Sequence, residues 1–351
     1  MFDRNRLTIR PLSERKSKTS FFSHPRLADC ISPSGEIWSP LLVCDEAVDN
    51  LDSAEEKFVD SIVIDIKKKK KVILGFGAHF IKNKCHPYLN SIMDKGYITH
   101  VVTNGASTIH DFEFVYDGKT EEDVRENLAN GTFGLWDTGH YINAALRFYG
   151  HEGYGYGLGK YLETNHSDKP YGISFVWQCY NRDIPLSICT SIGHDIIYEH
   201  PRCDGAKIGE ASYIDFLKLA ETLEGLTDAV VLCVGSAVTV PMVMEKAFAM
   251  AKNVAPDTGN NVSCYVIDLF DEVADWENSG TTEPGQSDVS YFIRPLKTFN
   301  RMFPNRCKYK RMDNRKLMFH LWDKLKETEK IIVSKEEHFR GILKEKEKTL
   351  Y

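Results

Sequence analysis

Two stretches of this sequence concentrate side chains that could move protons or hold charge. The first, Asn104-Gly-Ala-Ser-Thr-Ile-His-Asp-Phe-Glu113, turns through small residues and then brings His110, Asp111 and Glu113 in quick succession. On a helix, positions three apart share a face, so His110 and Glu113 are expected side by side. Thr108-x-x-Asp111 fits a capping box, which predicts a helix starting at Thr108. The second stretch runs from Ser191 and carries His194, Asp195, Glu199, His200, Asp204, Lys207 and Glu210. Metal ligation by His194, Glu199 and His200 would need a spacing such as HExxH, which is absent, so no metal site is expected. Asp195, close to the turn glycine Gly193, suits the counter-charge for an amine substrate. Asp204 suits a helix cap.

Regular alternation supplies the elements that must position these residues. Apolar runs at 72–76, 99–103, 185–190, 229–234 and 263–269 read as strands. Helical patterns at 54–66, 87–96, 108–116, 121–129, 138–149 and 208–224 separate most of them. Strands divided by helices imply an α/β fold, a parallel sheet with helices on both faces. Ligands of such sheets bind outside the carboxyl ends of the strands, where helix N-termini offer free N–H groups. Four small, polar turns fall at that edge: Gly75–His79, Asn104–Asp111, Ser191–Asp195 and Gly235–Ser236. Small residues let a backbone approach a pyrophosphate, although a strict GxGxxG is absent and the Gly/Tyr-rich stretch 150–159 follows no strand.

The 351 residues are 42% hydrophobic and 27% charged, ordinary for a globular chain with a large core. A net charge of −6 argues against a nucleic-acid partner. The lysine run 67–71 reads as a solvated helix end. Nine cysteines without a CxxC pair read as reduced thiols. No apolar run approaches the roughly 20 residues of a membrane span, and nothing at the N-terminus reads as a secretory signal, so a cytoplasmic location is expected. Residues 1–50 are expected to be an N-terminal extension, 51–305 the ligand-binding domain, and 306–351 a charged helical segment at the surface or in a subunit contact.

Three blocks together resemble the deoxyhypusine synthase family: VVTNGASTIHDFE, DIPLSICTSIGHDIIYEHP and VVLCVGSAVTVPMVMEKA, in that family's order over roughly residues 60–300. GAHFIK with NGASTIHDFE is similar to the bacterial deoxyhypusine-synthase-like branch. The same unit also resembles the NAD-dependent cyclodeaminase domain of bacterial arginine-degrading proteins. The resemblance implies a Rossmann-like sheet that binds NAD in a homotetramer, with hydride transfer from an amine carbon of a spermidine-like substrate. It implies cofactor contacts from Gly75, Gly77, Asn104, Gly105, Ala106, Asp111, Ser191, Gly193, Gly235 and Ser236. A C–H bond beside nitrogen releases hydride readily only when the amine is neutral, so a base is needed, and carboxylates must hold remote ammonium groups. His110 could be the base, Glu113 and Asp195 the carboxylates, with His200 joining the same pocket. The family's Trp-Gly-Lys and His-His are missing, and Ile109-His110 replaces its paired acids, so modification of a protein lysine is not expected. Lys297 could substitute as the nucleophile of an aminobutyl transfer. An ornithine-cyclodeaminase-like lyase and a catalytically silent NAD-binding protein are the alternatives.

Overall fold

Val72-Ile-Leu, His100-Val-Val-Thr, Leu186-Ser-Ile-Cys and Ala229-Val-Val-Leu-Cys-Val are almost wholly buried, as strands covered on both faces must be. The computed structural model describes residues 2–21, 49–271 and 293–326. Its N-terminal arm holds a two-residue strand, β1 (Thr19–Ser20), and α1 (Ser53–Lys68) follows. Then come β2 (Lys71–Phe76), the short α2 (Ala78–Lys82), α3 (His86–Asp94), β3 (His100–Asn104), α4 (Gly105–Asp117) and β4 (Lys119–Thr120). Four helices are next in the chain: α5 (Val124–Ala129), α6 (Thr138–Tyr149), α7 (Tyr154–Asn165) and α8 (Phe175–Asn181). The second half runs through β5 (Leu186–Cys189), α9 (Gly205–Leu223), β6 (Ala229–Val234), α10 (Thr239–Val254) and β7 (Ser263–Asp268). It closes with α11 (Arg294–Met302), β8 (Cys307–Arg311) and α12 (Asn314–Leu325).

Six strands form one parallel sheet in the order β5-β3-β2-β6-β7-β8. Counted along the chain, these six strands stand as 3-2-1-4-5-6, the order of doubly wound dinucleotide-binding sheets. The winding reverses between β2 and β6. Side chains alternate between two cores, as the strand period of two requires. Val72, Leu74 and Phe76 join Val230, Leu232 and Val234 on one face; Ile73, Val231, Cys233 and Val266 join Leu219 of α9 and Met244 of α10 on the other. The sheet with helices on both faces agrees with the sequence reading.

Local departures have local causes. Helix α4 begins at Gly105, because the Asn104 carboxamide oxygen caps it, accepting from Ser107 N (3.1 Å) and Ser107 Oγ (2.9 Å). The Thr108 hydroxyl turns back to the Gly105 carbonyl (2.7 Å) and caps nothing. Cys307–Arg311, assigned to a charged helical segment from sequence, is instead the edge strand β8, with Cys307 and Tyr309 inward. Helix α12 buries Leu317, Met318 and Leu321 in the core; residues 327–351 lie outside the described part. The Gly/Tyr-rich stretch is largely helix α7, whose glycines serve packing: a Cβ on Gly155 would lie 2.6 Å from the Leu186 carbonyl oxygen. The arm is docked as well. Leu12 and Phe21 are fully buried, and the Phe21 ring packs against His86 and Phe114; residues 22–48 fall outside the described part. Seven buried cysteines among the described residues stand outside any disulfide, whereas Cys30 and Cys44 lie beyond them.

Candidate functional site at the carboxyl rim of the sheet

The turns after β5, β3, β2 and β6 follow four neighbouring parallel strands and so line one rim. At the reversal between β2 and β6, the two turns touch: a Cβ on Gly77 would collide with the Gly235 carbonyl oxygen. Gly235 has φ of 60°, the left-handed region that favours glycine, and a Cβ there would meet nothing within 4 Å. Gly75 lies under Val240, 2.6 Å from Cγ1 to an added Cβ. Ser236 is buried, and its Oγ accepts from Val240 N (3.3 Å) at the start of α10. Ser191 and Gly193 are exposed on the β5 turn, and Ala106 is partly buried in the first turn of α4. Ile192, Val238 and Leu269, each just beyond a strand of this rim, are exposed by 67%, 56% and 61%. Apolar side chains left open at successive strand ends suit contact with a ligand's rings.

Asp195 is the rim's buried charge. Its carboxylate packs against the Cα of Gly105, the first residue of α4, where the helix dipole favours an anion. Residue exposure is 7%, and among the described residues the carboxylate's one polar partner is His194, with Nδ1 at 3.4 Å. Burial raises its pKa and the neighbouring imidazole opposes this. The same turn of α4 is closed by Tyr154, whose hydroxyl lies 3.2 Å from Thr108 Oγ1.

His110 and Glu113 do share a neighbourhood. Glu113 accepts from Arg15 Nη1 and Nη2 (2.7 Å each), from Thr120 Oγ1 (2.6 Å) and from Thr138 Oγ1 (3.0 Å). His110 Nδ1 lies 2.6 Å from the same Thr120 oxygen. Burial is the largest cause that takes the imidazole down to about 4, so the ring is neutral at neutral pH. Nearby, Lys82 pairs with Glu121 (3.2 Å), and this ion pair acts electrostatically on both His110 and His79. His79 follows Gly77 at the reversal point and also feels Asp268 at the end of β7, whose carboxyl burial pushes up.

The remaining sequence candidates lie apart from these groups. The Asp111 carboxylate is buried beneath the rim, where it accepts from Phe175 N (2.9 Å) and Ser174 Oγ at the start of α8; burial pushes it to about 7. His200 packs on Gly139 of α6, accepts at Nδ1 from Arg202 N (3.1 Å), and is lowered to about 4 chiefly by burial. Lys297 sits on α11, the crossover from β7 to β8, whereas Asp195 follows β5. Four strand spacings separate β5 from β7 in the sheet, roughly 19 Å at about 4.8 Å each. Among the described residues no three His, Cys, Asp or Glu side chains group as a metal site. No described helix is long and apolar enough to cross a membrane.

No family model and no curated protein matches the chain. Similar solved structures include a conserved LOR/SDH protein from Methanococcus maripaludis S2, at TM-score 0.48 and 13% identity over 81% of this chain and 71% of that one. They include the arginine dihydrolase ArgZ of the cyanobacterial ornithine–ammonia cycle, at TM-score 0.44 and 15% identity over 78% of this chain and 33% of that one. The ternary complex of AgrE with ornithine and NAD+ aligns at TM-score 0.46 and 14% identity over 80% of this chain and 34% of AgrE. The chain thus spans about a third of the dihydrolase ArgZ and of AgrE. The likeness is one of fold. Membership in the deoxyhypusine synthase family is corrected by these results: no model of any family matches, and the structures just named are of other kinds. The expectation of an aminobutyl transferase is corrected on the same ground, since these neighbours carry no such activity in their descriptions.

Arg15, Thr120, His79 and Asp268 are absent from the sequence-derived site. Arg15 stands 98 positions from Glu113, a separation that local spacing cannot read. His79 lay within a recognised turn, and only the sheet order reveals that Asp268 shares its edge.

Proposed function

We propose that this chain is an NAD-dependent enzyme acting on a small amine or amino acid, oxidising the carbon that bears nitrogen and leading to deamination. The observation that carries this reading is a 3-2-1-4-5-6 sheet whose reversal point is closed by Gly77 against Gly235, with the sparsely partnered carboxylate of Asp195 on the same rim. Gly77, Gly235 and Ser236 would hold the diphosphate through the backbone, because side chains are missing or folded away where the two turns meet. The N-terminus of α4 already faces Asp195, which disfavours a second anion there. Two features depart from the usual fingerprint. Phe80, stacked on Phe76 at 4.3 Å, stands at the third glycine's place, and Asn104 ends the second strand where an acid would meet the ribose.

NAD, when bound, supplies the hydride acceptor. Asp195 holds the substrate's ammonium group by charge. His110, whose ring is uncharged at neutral pH while burial weakens it as a base, is the candidate acceptor for the proton that must leave the reacting amine before hydride can depart. It stands on the same helix as Gly105, against which Asp195 packs, about 8 Å further along the axis at about 1.5 Å per residue. Glu113, held by Arg15, supports the base and does not meet substrate.

Calorimetric titration with NAD+, followed by NADH absorbance and product mass with ornithine, arginine, putrescine and spermidine, tests the reading. Ornithine with NAD+, the pair bound in AgrE, is the first to try. Saturable binding of NAD+ and turnover of one amine, both reduced in a Gly77→Ala variant, are expected. The absence of any saturable heat with NAD+ would end the proposal.

A further inference from the structure

The Thr120 hydroxyl stands between two partners at 2.6 Å each, the Nδ1 of His110 and the Oε2 of Glu113, and it has one proton to give. A carboxylate facing a guanidinium can only accept, so that proton goes to Glu113. The Thr120 oxygen is then an acceptor toward the imidazole, and Nδ1 must carry hydrogen. A neutral ring protonated at Nδ1 has its lone pair at Nε2. Among the described residues Nε2 makes no hydrogen bond, and the side chain is only partly buried.

The N-terminal arm holds one end and the middle of this chain of hydrogen bonds. Arg15 reaches Glu113 with 2% of its side chain exposed. The arm strand β1 pairs antiparallel with β4, with Thr19 directly opposite Thr120. Further anchors hold the arm: Leu12 N donates to Asp137 Oδ1 (2.8 Å), Arg10 N to the Leu135 carbonyl (3.0 Å), and Asp137 N to the Arg10 carbonyl (2.9 Å).

We propose that Arg15 and Thr120 are positioning residues that fix the tautomer of His110, so that the arm, far from the rim in sequence, completes the proton-accepting centre. This rests on the reading of His110 as the base. In the step it serves, an N–H bond of the substrate ammonium breaks and an Nε2–H bond forms, while the other hydrogen stays on Nδ1, donated to Thr120 Oγ1. The imidazolium that results faces Glu113 through Thr120, against the opposing charges of Lys82 and Arg15. The charged groups facing the ring are Glu113 on its own helix, Arg15 from the arm, Lys82 from α2 and Glu121 beyond β4.

Nitrogen–proton correlation spectra of histidine-labelled protein, with His110 assigned by its loss in His110→Gln, read the tautomer directly. The wild type should show hydrogen on Nδ1 and a bare Nε2; Thr120→Val should shift the ring toward the other tautomer, and Thr120→Ser should restore it. Turnover of the amine should fall roughly 10- to 100-fold in Thr120→Val, with NAD+ affinity unchanged and recovery in Thr120→Ser. Arg15→Lys, which keeps the charge but loses the two-pronged contact, should give a mixture of tautomers without unfolding. Hydrogen on Nε2 in the wild type, or an unmoved tautomer in Thr120→Val, overturns the inference. If the spectra behave as expected but the wild type neither binds NAD+ nor turns over an amine, the positioning chain stands and the enzymatic reading falls.

Discussion

Glu113 and Asp195 are both carboxylates nearly closed to solvent beside helix α4, one from within it and one from the turn after β5, and they could hardly be treated more differently. Glu113 receives four donors, two from one guanidinium, in a network tied to the arm. Asp195 receives one long contact from an exposed histidine and rests on a helix N-terminus. Burial without partners costs free energy that a merely structural carboxylate avoids by acquiring donors. The contrast separates a carboxylate that organises its surroundings from one still open to a ligand's ammonium group, although each follows a histidine in the sequence, Glu113 by three positions and Asp195 by one.

The largest effect should follow from cutting the satisfied partner. Glu113→Ala leaves Arg15 buried and unpaired, which should cost about 3–5 kcal/mol of folding stability, measurable by urea denaturation. Asp195→Asn should fold normally yet lose roughly 10- to 150-fold in kcat/KM for the amine, the value of about 1.5–3 kcal/mol for a hydrogen bond to a charged group. If the two substitutions disturbed folding equally, the distinction would collapse. Gly77→Ala forces the Gly235 backbone to move and should weaken NAD+ about tenfold, or about 1.4 kcal/mol, in a calorimetric titration. The smallest effect concerns pH. The folded carboxyl of Asp195 titrates above its unfolded value, so the stabilisation of its protonated form is full below about pH 3.9 and disappears as pH rises through the folded value. Asparagine mimics that protonated form. Thermal melting of Asp195→Asn should therefore match the wild type near pH 4 and exceed it slightly near pH 7.

Much of the frame was readable from residue patterns. Buried parallel strands are continuous apolar runs, and five of the six sheet strands announced themselves that way. The sixth, Cys307–Arg311, hid because an edge strand alternates lysine with buried residues and its charge mimics a solvated helix. Asp204 was legible as a cap and does cap α9, accepting from Ala206 N and Lys207 N. Thr108 was misread because Asn104, four residues earlier, offers the same chemistry and wins the helix start. The glycines at 155, 157 and 159 answer to crowding by Leu186, Tyr149 and Tyr180, a constraint that exists only after the helices pack. At the rim, spacing marked the turns, but whether an acid is saturated or open depends on residues such as Arg15 and Thr138 that no local window contains.

The docked arm also dictates an order of assembly during synthesis. Arg15 finds its carboxylate 98 residues downstream, and Arg4 donates to the Cys203 carbonyl 199 residues downstream. This segment must therefore wait, with its apolar Leu12 and Phe21 uncovered, until the middle of the chain has emerged to receive it. A nascent polypeptide halted before Cys203 would own His110 but lack part of the surface on which the segment beside it comes to rest.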